Sequence, residues 1–395
     1  MALLRLLSAL LVPLGALLLA HLALPHLRDV PASLAGLKLY APHIAIGIGL
    51  AVSLGFGRSR TFFSLAALAL AYAAVRALPG SALYHAATVA LPLAFGLAAW
   101  GRESALRSAR GLQRAAALAI GSAAIVALCN AFPAVIGALL SKTYVARLPE
   151  GATGQVALAA TAIGLASALG AWLHRREAAA LALAAGMIAF ALSARAAGSP
   201  DTSRLYVATA ALVLAIAVLQ DIFHMAFRDP LTGLLSRRAL DEHLAAIGRR
   251  YILAMVDVDH FKRVNDVHGH DTGDQVLKMI ARALLRVPGA RAYRYGGEEF
   301  TLLFSGSDSE DAMERLEALR QDIASHPFRL RSAARKKTGR SGRNRAPAAA
   351  GMLKVTVSIG VAESEDGDAD AGAVVARADK ALYRAKHRGR NAVCR

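Results

Sequence analysis

The chain has 395 residues, of which 55% are hydrophobic and only 19% charged, and its formal net charge is +18. This composition excludes an ordinary soluble protein, and the length allows two domains with separate cores. Much of the positive charge lies in loops between long apolar runs, so nucleic acid is not an expected partner, and Cys129 and Cys394 predict no structural disulfide.

The first 228 residues predict an all-α transmembrane bundle of about eight helices. A helix needs roughly 20 apolar residues to cross the hydrocarbon core of a membrane. Eight stretches meet that length: 3–24, 39–57, 61–78, 82–100, 115–140, 155–173, 178–197 and 205–224. The first stretch is long and is followed by no small-residue cleavage site, which favours an uncleaved helix over a signal peptide.

Basic residues in the short loops predict the orientation of this bundle. One set of alternate loops carries Arg58 and Arg60, four Arg residues over 102–114, and Arg175 with Arg176. Loops rich in Lys and Arg stay on the cytoplasmic side. We therefore predict a multi-pass protein of a bacterial-type inner membrane, with its C-terminal domain in the cytoplasm.

The external loops are short, so any stimulus is expected to act within the membrane or at its surface. His43, His85 and Cys129 lie inside predicted spans and are candidate ligands for a metal or a small signal, although polar groups of the bundle interior are the favoured interpretation. Pro13, Pro42, Pro92 and Pro133 are expected to kink their helices. The last span runs without a break to Asp229-Pro230, and so short a connection predicts that helix movements reach the next domain.

Residues 229–395 form the second predicted domain, an α/β fold with a mainly antiparallel central sheet. The pattern predicts a turn over 229–234, helices over 237–248, 260–267, 274–285, 308–325 and 371–387, and strands over 251–256 and 354–361. Ser236 is a candidate N-cap of the first helix. Two further strands, 291–295 and 299–304, are joined across Gly296-Gly297, and paired glycines tolerate the positive φ of a tight hairpin.

Carboxylates at the ends of these strands indicate chemistry with metal ions and phosphates. The strand at 251–256 ends at Asp257 and Asp259, which a period of two places on one side, and the hairpin turn carries Glu298 and Glu299. Mg²⁺ prefers carboxylate, water and phosphate oxygens. Neither acidic pair alone is a specific indication of such a site. Their combination at this spacing, together with Lys262, Asn265 and Asp274, is a strong indication.

Seven short motifs of this half carry a resemblance to a known family. They are Leu231-Thr232-Gly233-Leu234, Asp257-Val258-Asp259-His260-Phe261-Lys262, Asn265-Asp266 with Gly269-His270, Gly296-Gly297-Glu298-Glu299-Phe300, Val357-Ser358-Ile359-Gly360-Val361-Ala362, Ala378-Asp379-Lys380-Ala381-Leu382-Tyr383, and Ala385-Lys386 with Gly389-Arg390-Asn391. Residues 229–395 resemble the GGDEF domain of diguanylate cyclases. This family condenses two GTP molecules into cyclic di-GMP and two pyrophosphates, with one GTP held by each half-site of a homodimer.

The resemblance implies a role for each matching residue. Asp257, the Val258 carbonyl and Glu298 would hold Mg²⁺, or Mn²⁺ in its place, with two ions at each half-site. Glu298 would also act in catalysis by helping to activate the 3′-hydroxyl, and Glu299 would support the metal site. Asn265 and Asp274 would bind the guanine edge. Phosphates would be held by Lys262, Lys386, Arg390 and the backbone at His260-Phe261.

The sequence departs from the family pattern at three places. Ser236 stands where the family usually has Asn, and Ser caps a helix nearly as well. Many members carry an Arg-x-x-Asp product-inhibition site, whose position here reads Val287-Pro288-Gly289-Ala290, so we predict that this site is absent. An insertion at 329–345 holds eight basic residues and no acid. It is either a solvated loop or a segment attracted to membrane lipid.

Two other functions remain open from the sequence. A catalytically silent GGDEF domain could serve as a nucleotide-binding signalling receptor, but the retained Asp257, Asn265 and Glu298 argue against it. A transporter with a regulatory domain would be supported by charges in the middle of the spans, and almost none occur. A membrane-anchored diguanylate cyclase is the favoured prediction.

Overall fold

A computed structural model describes residues 2–144, 153–196, 198–248, 250–306, 308–326, 328–329, 352–365 and 370–395. Most of the basic insertion 329–345 lies outside these residues. The chain divides into two compact units, Met1–Ile222 and Phe223–Arg395. The predicted domains, 1–228 and 229–395, place the division six residues later. Residues 223–227 continue the last long helix of the first unit but pack within the second unit, which explains the difference.

The first unit is helical throughout its described part. Its helices are α1 (Ala2–Ala23), α2 (Ala35–Gly55), α3 (Ser59–Ala77), α4 (Ala82–Trp100), α5 (Ala109–Ala131), α6 (Pro133–Ser141), α7 (Gly154–Arg175), α8 (Ala178–Arg195) and α9 (Pro200–Phe227). Seven helices of the described chain are long and apolar enough to cross a membrane: α2, α3, α4, α5, α7, α8 and α9.

One predicted span differs from these helices. The stretch 115–140 is divided into α5 and α6 at Phe132–Pro133, because Pro133 lacks the N–H that would continue the hydrogen bonding of α5. The predicted span 3–24 corresponds to the 22-residue helix α1. Pro13, Pro42 and Pro92 stay inside their helices.

Charged side chains join three loops at one end of the helical unit. The buried Arg60 guanidinium donates hydrogen bonds to the Gly101 carbonyl at 2.7 Å and to the Glu177 carboxylate at 2.8 Å. Glu103 accepts from the backbone N–H of Arg60 at 3.0 Å. These contacts bring together the loops that the basic pattern assigned to one side. Which side of a membrane they face stays a prediction.

The predicted ligand residues of the spans do not form a metal site. His85 and Cys129 are buried, whereas His43 is exposed. Across the described ranges, no group of three or more His, Cys, Asp or Glu side chains is placed to hold a metal ion.

The second unit is built on a six-stranded sheet. Its strands are β1 (Leu235–Ser236), β2 (Tyr251–Val258), β3 (Ala290–Arg294), β4 (Glu299–Ser305), β7 (Val357–Glu363) and β8 (Val393–Cys394), in the order β1-β3-β4-β2-β7-β8. A separate pair consists of β5 (Phe328–Arg329) and β6 (Met352–Leu353).

The prediction of a mainly antiparallel sheet is wrong, because the sheet is mixed. The four central strands pair antiparallel, but β1 pairs parallel with β3 and β8 pairs parallel with β7. Both parallel strands are only two residues long, too short to give a period of alternating side chains.

Helices cover both faces of this sheet. They are α10 (Arg237–Ala246), α11 (Phe261–His268), α12 (His270–Leu284), α13 (Ser309–Ser325) and α14 (Ala371–His387). Side chains alternate along β2, so Ile252, Ala254 and Val256 pack against α12 and α13. Leu253 and Met255 face α10 and α14. Asp257 continues this second series, so its carboxylate emerges on the α14 side.

Candidate active site

Asp257 lies at the end of β2, between two neighbouring strands. It is opposite Glu299 of β4 and Ser358 of β7, and it is 5% exposed. Its Oδ2 is 3.0 Å from the ammonium nitrogen of Lys386 on α14. Burial raises the pKa of Asp257; Lys386 and Arg390 oppose that rise, and neighbouring Asp259 adds to it. The side chain is thus a buried carboxylate facing a cation.

Glu298 is brought to the same place by the hairpin turn between β3 and β4. The Val258 N–H donates to the Glu298 carbonyl oxygen at 3.3 Å, so the turn lies against the end of β2. Burial raises the pKa of Glu298, and the negative charge of Asp257 raises it further. The Gly-Gly turn therefore joins the two carboxylates that the sequence placed in separate motifs.

Gly296 lies against the side chain of Glu299 at this turn. A Cβ at residue 296 would lie 2.6 Å from a carboxylate oxygen of Glu299, so that side chain would have to shift. The Tyr295 and Gly296 N–H groups both donate to the Glu299 carbonyl, at 2.9 and 3.1 Å. Glu299 thus closes the hairpin by its backbone.

These groups fit a hard divalent cation. Two carboxylates with raised pKa values repel each other, and a cation between them would relieve that repulsion. Mg²⁺ typically takes one or two protein carboxylates and completes its shell with water and phosphate oxygens. Asp257, Glu298 and the Val258 carbonyl match such a partial ligand set.

The residues that follow β2 have different surroundings. His260 adopts a left-handed conformation with φ of 57° and begins α11. Phe261 is buried in the core, whereas Lys262 is exposed. The chain therefore reverses at His260, and the first turn of α11 lies beside the end of the strand.

Asn265 and Asp274 lie on two consecutive helices in contact. The Asn265 Oδ1 is buried and has no hydrogen-bond partner in the described part of the chain. A Cβ at Gly273, next to Asp274, would lie only 2.0 Å from that oxygen. Asp274 itself is exposed. A buried acceptor without a donor, beside an exposed carboxylate, suits a ligand that offers N–H groups.

Lys386 and Arg390 lie at the end of α14 and in the turn that follows it. Lys386 contacts Asp257, as described above. Arg390 is exposed, and its charge lowers the pKa of Asp257. The structure thus brings Asp257, Glu298, Lys386 and Arg390 together. Lys262, Asn265 and Asp274 lie on α11 and α12, and the roles of all these residues remain predictions.

Sequence reasoning missed the parts played by Asp259 and Arg294. Asp259 does not join the carboxylate cluster, because β2 ends at Val258 and the chain turns; its carboxylate instead accepts from the Thr356 and Ser358 hydroxyls, each at 2.7 Å. Arg294 donates to the carbonyls of Gly296 and Gly297 and, at 2.8 Å, to Asp229. The position of Arg294 directly before Tyr295-Gly296-Gly297 is the sequence feature that could have predicted its contacts with the turn.

A concavity lies on the face of the sheet that α10 and α14 cover. Its volume is about 840 Å³, and α10, α14 and Tyr295 line it together with Glu299. Asp257, Glu298, Asn265 and Asp274 are not among its lining residues.

Comparison with known proteins points to one family for the second unit. Residues 226–342 and 342–392 match the family model described as "Diguanylate cyclase, GGDEF domain". Diguanylate cyclase DgcP of Pseudomonas aeruginosa is 40% identical over 184 residues, covering 44% of this chain and 24% of that protein. Response regulator PleD of Caulobacter vibrioides is 36% identical over 186 residues, covering 44% and 37%. The chain spans less than two fifths of the length of these relatives.

A solved structure is similar over the same part of the chain. It is the coiled coil and GGDEF domain of DgcB from Caulobacter crescentus in complex with c-di-GMP, at 35% identity and a TM-score of 0.38. The similarity covers 45% of this chain and 88% of that one.

Proposed function

We propose that the second unit is a GGDEF-type diguanylate cyclase, which condenses two GTP molecules into cyclic di-GMP and releases two pyrophosphates. The observation that carries this proposal is the convergence of Asp257 and Glu298, joined by the hydrogen bond from Val258 to the Glu298 carbonyl. Relatives named diguanylate cyclase over this same part of the chain support it.

Asp257, Glu298 and the Val258 carbonyl would hold Mg²⁺, or Mn²⁺ in its place. The bound ions would lower the pKa of the attacking hydroxyl and neutralise the leaving pyrophosphate. Glu298 has a pKa raised by burial and by Asp257, which suits a group that takes a proton from the 3′-hydroxyl. Glu299 fixes the turn that carries Glu298.

Cationic side chains next to the carboxylates would hold the triphosphate. Lys386 contacts Asp257 at 3.0 Å, and when a metal ion takes that carboxylate, the ammonium group is free to bind phosphate. Arg390 adds a second charge on the same side, and Lys262 with the backbone at His260-Phe261 adds contacts from the start of α11. These groups orient the triphosphate for in-line attack.

Guanine would be recognised at α11 and α12. The unpaired oxygen of Asn265 can accept a hydrogen bond from guanine, and Asp274 can accept from the paired N1–H and N2–H₂ donors. Adenine has no such pair of donors. The GTP specificity of the proposed reaction therefore depends on these two residues.

The reaction requires two half-sites, each holding one GTP, so a homodimer is part of the proposal. The seven apolar helices of the first unit support anchoring in a membrane, with the second unit on the cytoplasmic side. The residues at 287–290 offer no Arg-x-x-Asp pattern, so we propose that product inhibition through that site is absent.

The test uses the full chain, purified in detergent and incubated with GTP and Mg²⁺. Wild-type protein is expected to release cyclic di-GMP, and Glu298→Ala to lower the rate at least about 100-fold, since general acid–base groups contribute typically 10²–10⁴-fold. Glu314→Ala removes an exposed carboxylate of α13 and serves as the matched control. GTP binding without product in the wild type would instead support the silent receptor.

A further inference from the structure

Asp259 is held by three donors from two parts of the second unit. Its Oδ1 accepts from the Ser358 hydroxyl at 2.7 Å, and its Oδ2 accepts from the Thr356 hydroxyl at 2.7 Å. The same Oδ2 accepts from the backbone N–H of Asn391 at 3.0 Å. Asp259 is 5% exposed, and its own N–H donates to the Thr356 carbonyl at 2.9 Å. The side chain thus ties the end of β2 to β7 and to the turn after α14.

The turn that Asp259 holds has an unfavourable backbone conformation. Three consecutive residues, Gly389, Arg390 and Asn391, have φ values of 104°, 65° and 46°. Residues other than glycine adopt positive φ at a cost, and such conformations persist where surrounding contacts impose them. The turn is therefore expected to depend on its few fixed contacts.

Two other hydrogen bonds hold residues 390 and 391 of this turn. The Arg390 N–H donates to the Ala385 carbonyl at 3.2 Å, and the Asn391 side chain accepts from Arg320 at 2.9 Å. The Arg320 guanidinium makes the second of these contacts charge-assisted but binds a side chain, whereas Asp259 offers a charged acceptor to the backbone of the turn. Charge-assisted hydrogen bonds are about twice as strong as neutral ones.

The turn also carries a functional charge. The Arg390 N–H bonds to Ala385, and the next residue, Lys386, contacts Asp257 at 3.0 Å, so the turn lies beside the carboxylate cluster. We propose that Asp259 is a positioning residue, whose carboxylate holds the left-handed turn 389–391 so that the Arg390 guanidinium faces the triphosphate of GTP. This inference rests on the proposed function. Asp259 touches neither substrate nor metal in this role and acts through Asn391 and Arg390.

The test is a double-mutant cycle in the full chain. Asp259→Asn keeps the shape but removes the charge and leaves one accepting oxygen for the three donors Thr356, Ser358 and Asn391. We expect the KM for GTP to rise about tenfold, the size of one lost charged hydrogen bond, with kcat changed less than about threefold. In an Arg390→Gln background the same change is expected to raise KM by less than about twofold. The Ki of guanosine, used as a competitive inhibitor, is expected to be the same in all these variants. Glu314→Gln is the control variant.

Three outcomes would overturn the inference. Asp259→Asn could raise KM equally in both backgrounds, raise the Ki of guanosine in parallel, or leave KM unchanged while the wild type makes cyclic di-GMP. Should Asp259→Asn fail to fold, Thr356→Val removes the other donor to Oδ2, and a roughly threefold rise in KM that vanishes with Arg390→Gln is expected. No rise in KM, or one that persists with Arg390→Gln, refutes the inference. A wild type that makes no cyclic di-GMP from GTP and Mg²⁺ refutes the proposed function itself.

Discussion

Gly273→Ala is predicted to remove the Asn265 carbonyl from the guanine site. A Cβ at residue 273 would lie 2.0 Å from Asn265 Oδ1 and 3.1 Å from Cζ of Phe261, whereas ordinary contacts lie at 3.4–4 Å. Phe261 is buried and cannot move easily, so Asn265 must rotate away. The substitution therefore acts on a neighbouring residue that the proposed reaction uses.

The size of the effect follows from two opposing terms. Alanine is favoured over glycine in a helix by about 1 kcal/mol, whereas overpacking costs roughly 1–3 kcal/mol. The unit should therefore lose about 0–2 kcal/mol of stability. Losing the hydrogen bond from guanine costs about 1–2 kcal/mol, which corresponds to a rise in KM for GTP of about 5–30-fold.

The assay combines initial rates of cyclic di-GMP formation with thermal unfolding. Gly248→Ala is the control, because a Cβ there meets nothing within 4 Å. Adding Asn265→Ala to Gly273→Ala removes the clash, so stability should return while KM stays high. The reasoning would be refuted by a Gly273→Ala protein with wild-type KM, or by a double variant as unstable as the single one.

Three further predictions concern Arg294, His243 and residues 287–290. Arg294→Gln should lower kcat about tenfold or more, because it frees the Gly296 and Gly297 carbonyls and breaks the ion pair with Asp229. The two side chains of that ion pair are only 14% and 15% exposed. An unchanged kcat in initial-rate assays would contradict this prediction. The pKa of His243 is lowered by burial and by Arg291, which donates to its Nε2 at 2.9 Å while Tyr293 contacts Nδ1, so folding favours the neutral ring. The resulting stability is present above the unfolded pKa of about 6.5 and is lost as pH falls through the lower folded pKa. Between pH 8 and 5 the Tm should therefore fall less for His243→Gln than for wild type. The same decrease of Tm with pH in both proteins would exclude this role. Added cyclic di-GMP should not inhibit GTP turnover through residues 287–290, and inhibition that Val287→Ala weakens would show otherwise.

Local patterns predicted the elements whose residues lie next to each other in the chain. The buried run from Tyr251, the paired glycines at 296–297 and the amphipathic repeat of α14 each fix a period or a turn within a few residues. The structure has β2, the hairpin and α14 at these places. Helix α12 starts at His270, four residues before its predicted start. Its first turn contains few apolar residues, so the hydrophobic pattern did not indicate it.

The remaining features depend on residues far apart in the sequence. Asp259 at the end of β2 accepts hydrogen bonds from Thr356 and Ser358 of the neighbouring strand region. Arg294, beside the hairpin turn, binds Asp229, which lies far earlier in the sequence. A period of two grouped Asp259 with Asp257, but that period applies only while the strand continues, and β2 ends between them. The parallel edges of the sheet escaped prediction for the same reason, since their register is set by distant partners.

The position of the division between the two units inside α9 determines where the chain can be cut or joined to another protein. Phe227 lies under the Arg238 guanidinium at 5.6 Å, and the Ala226 carbonyl accepts from Ser236 at 2.9 Å. A soluble fragment or a chimera begun at Asp229 would lose both partners and the bridge from Arg228 to Leu235. One begun at Phe223 keeps them, so exchange of modules in this protein should succeed at the earlier residue.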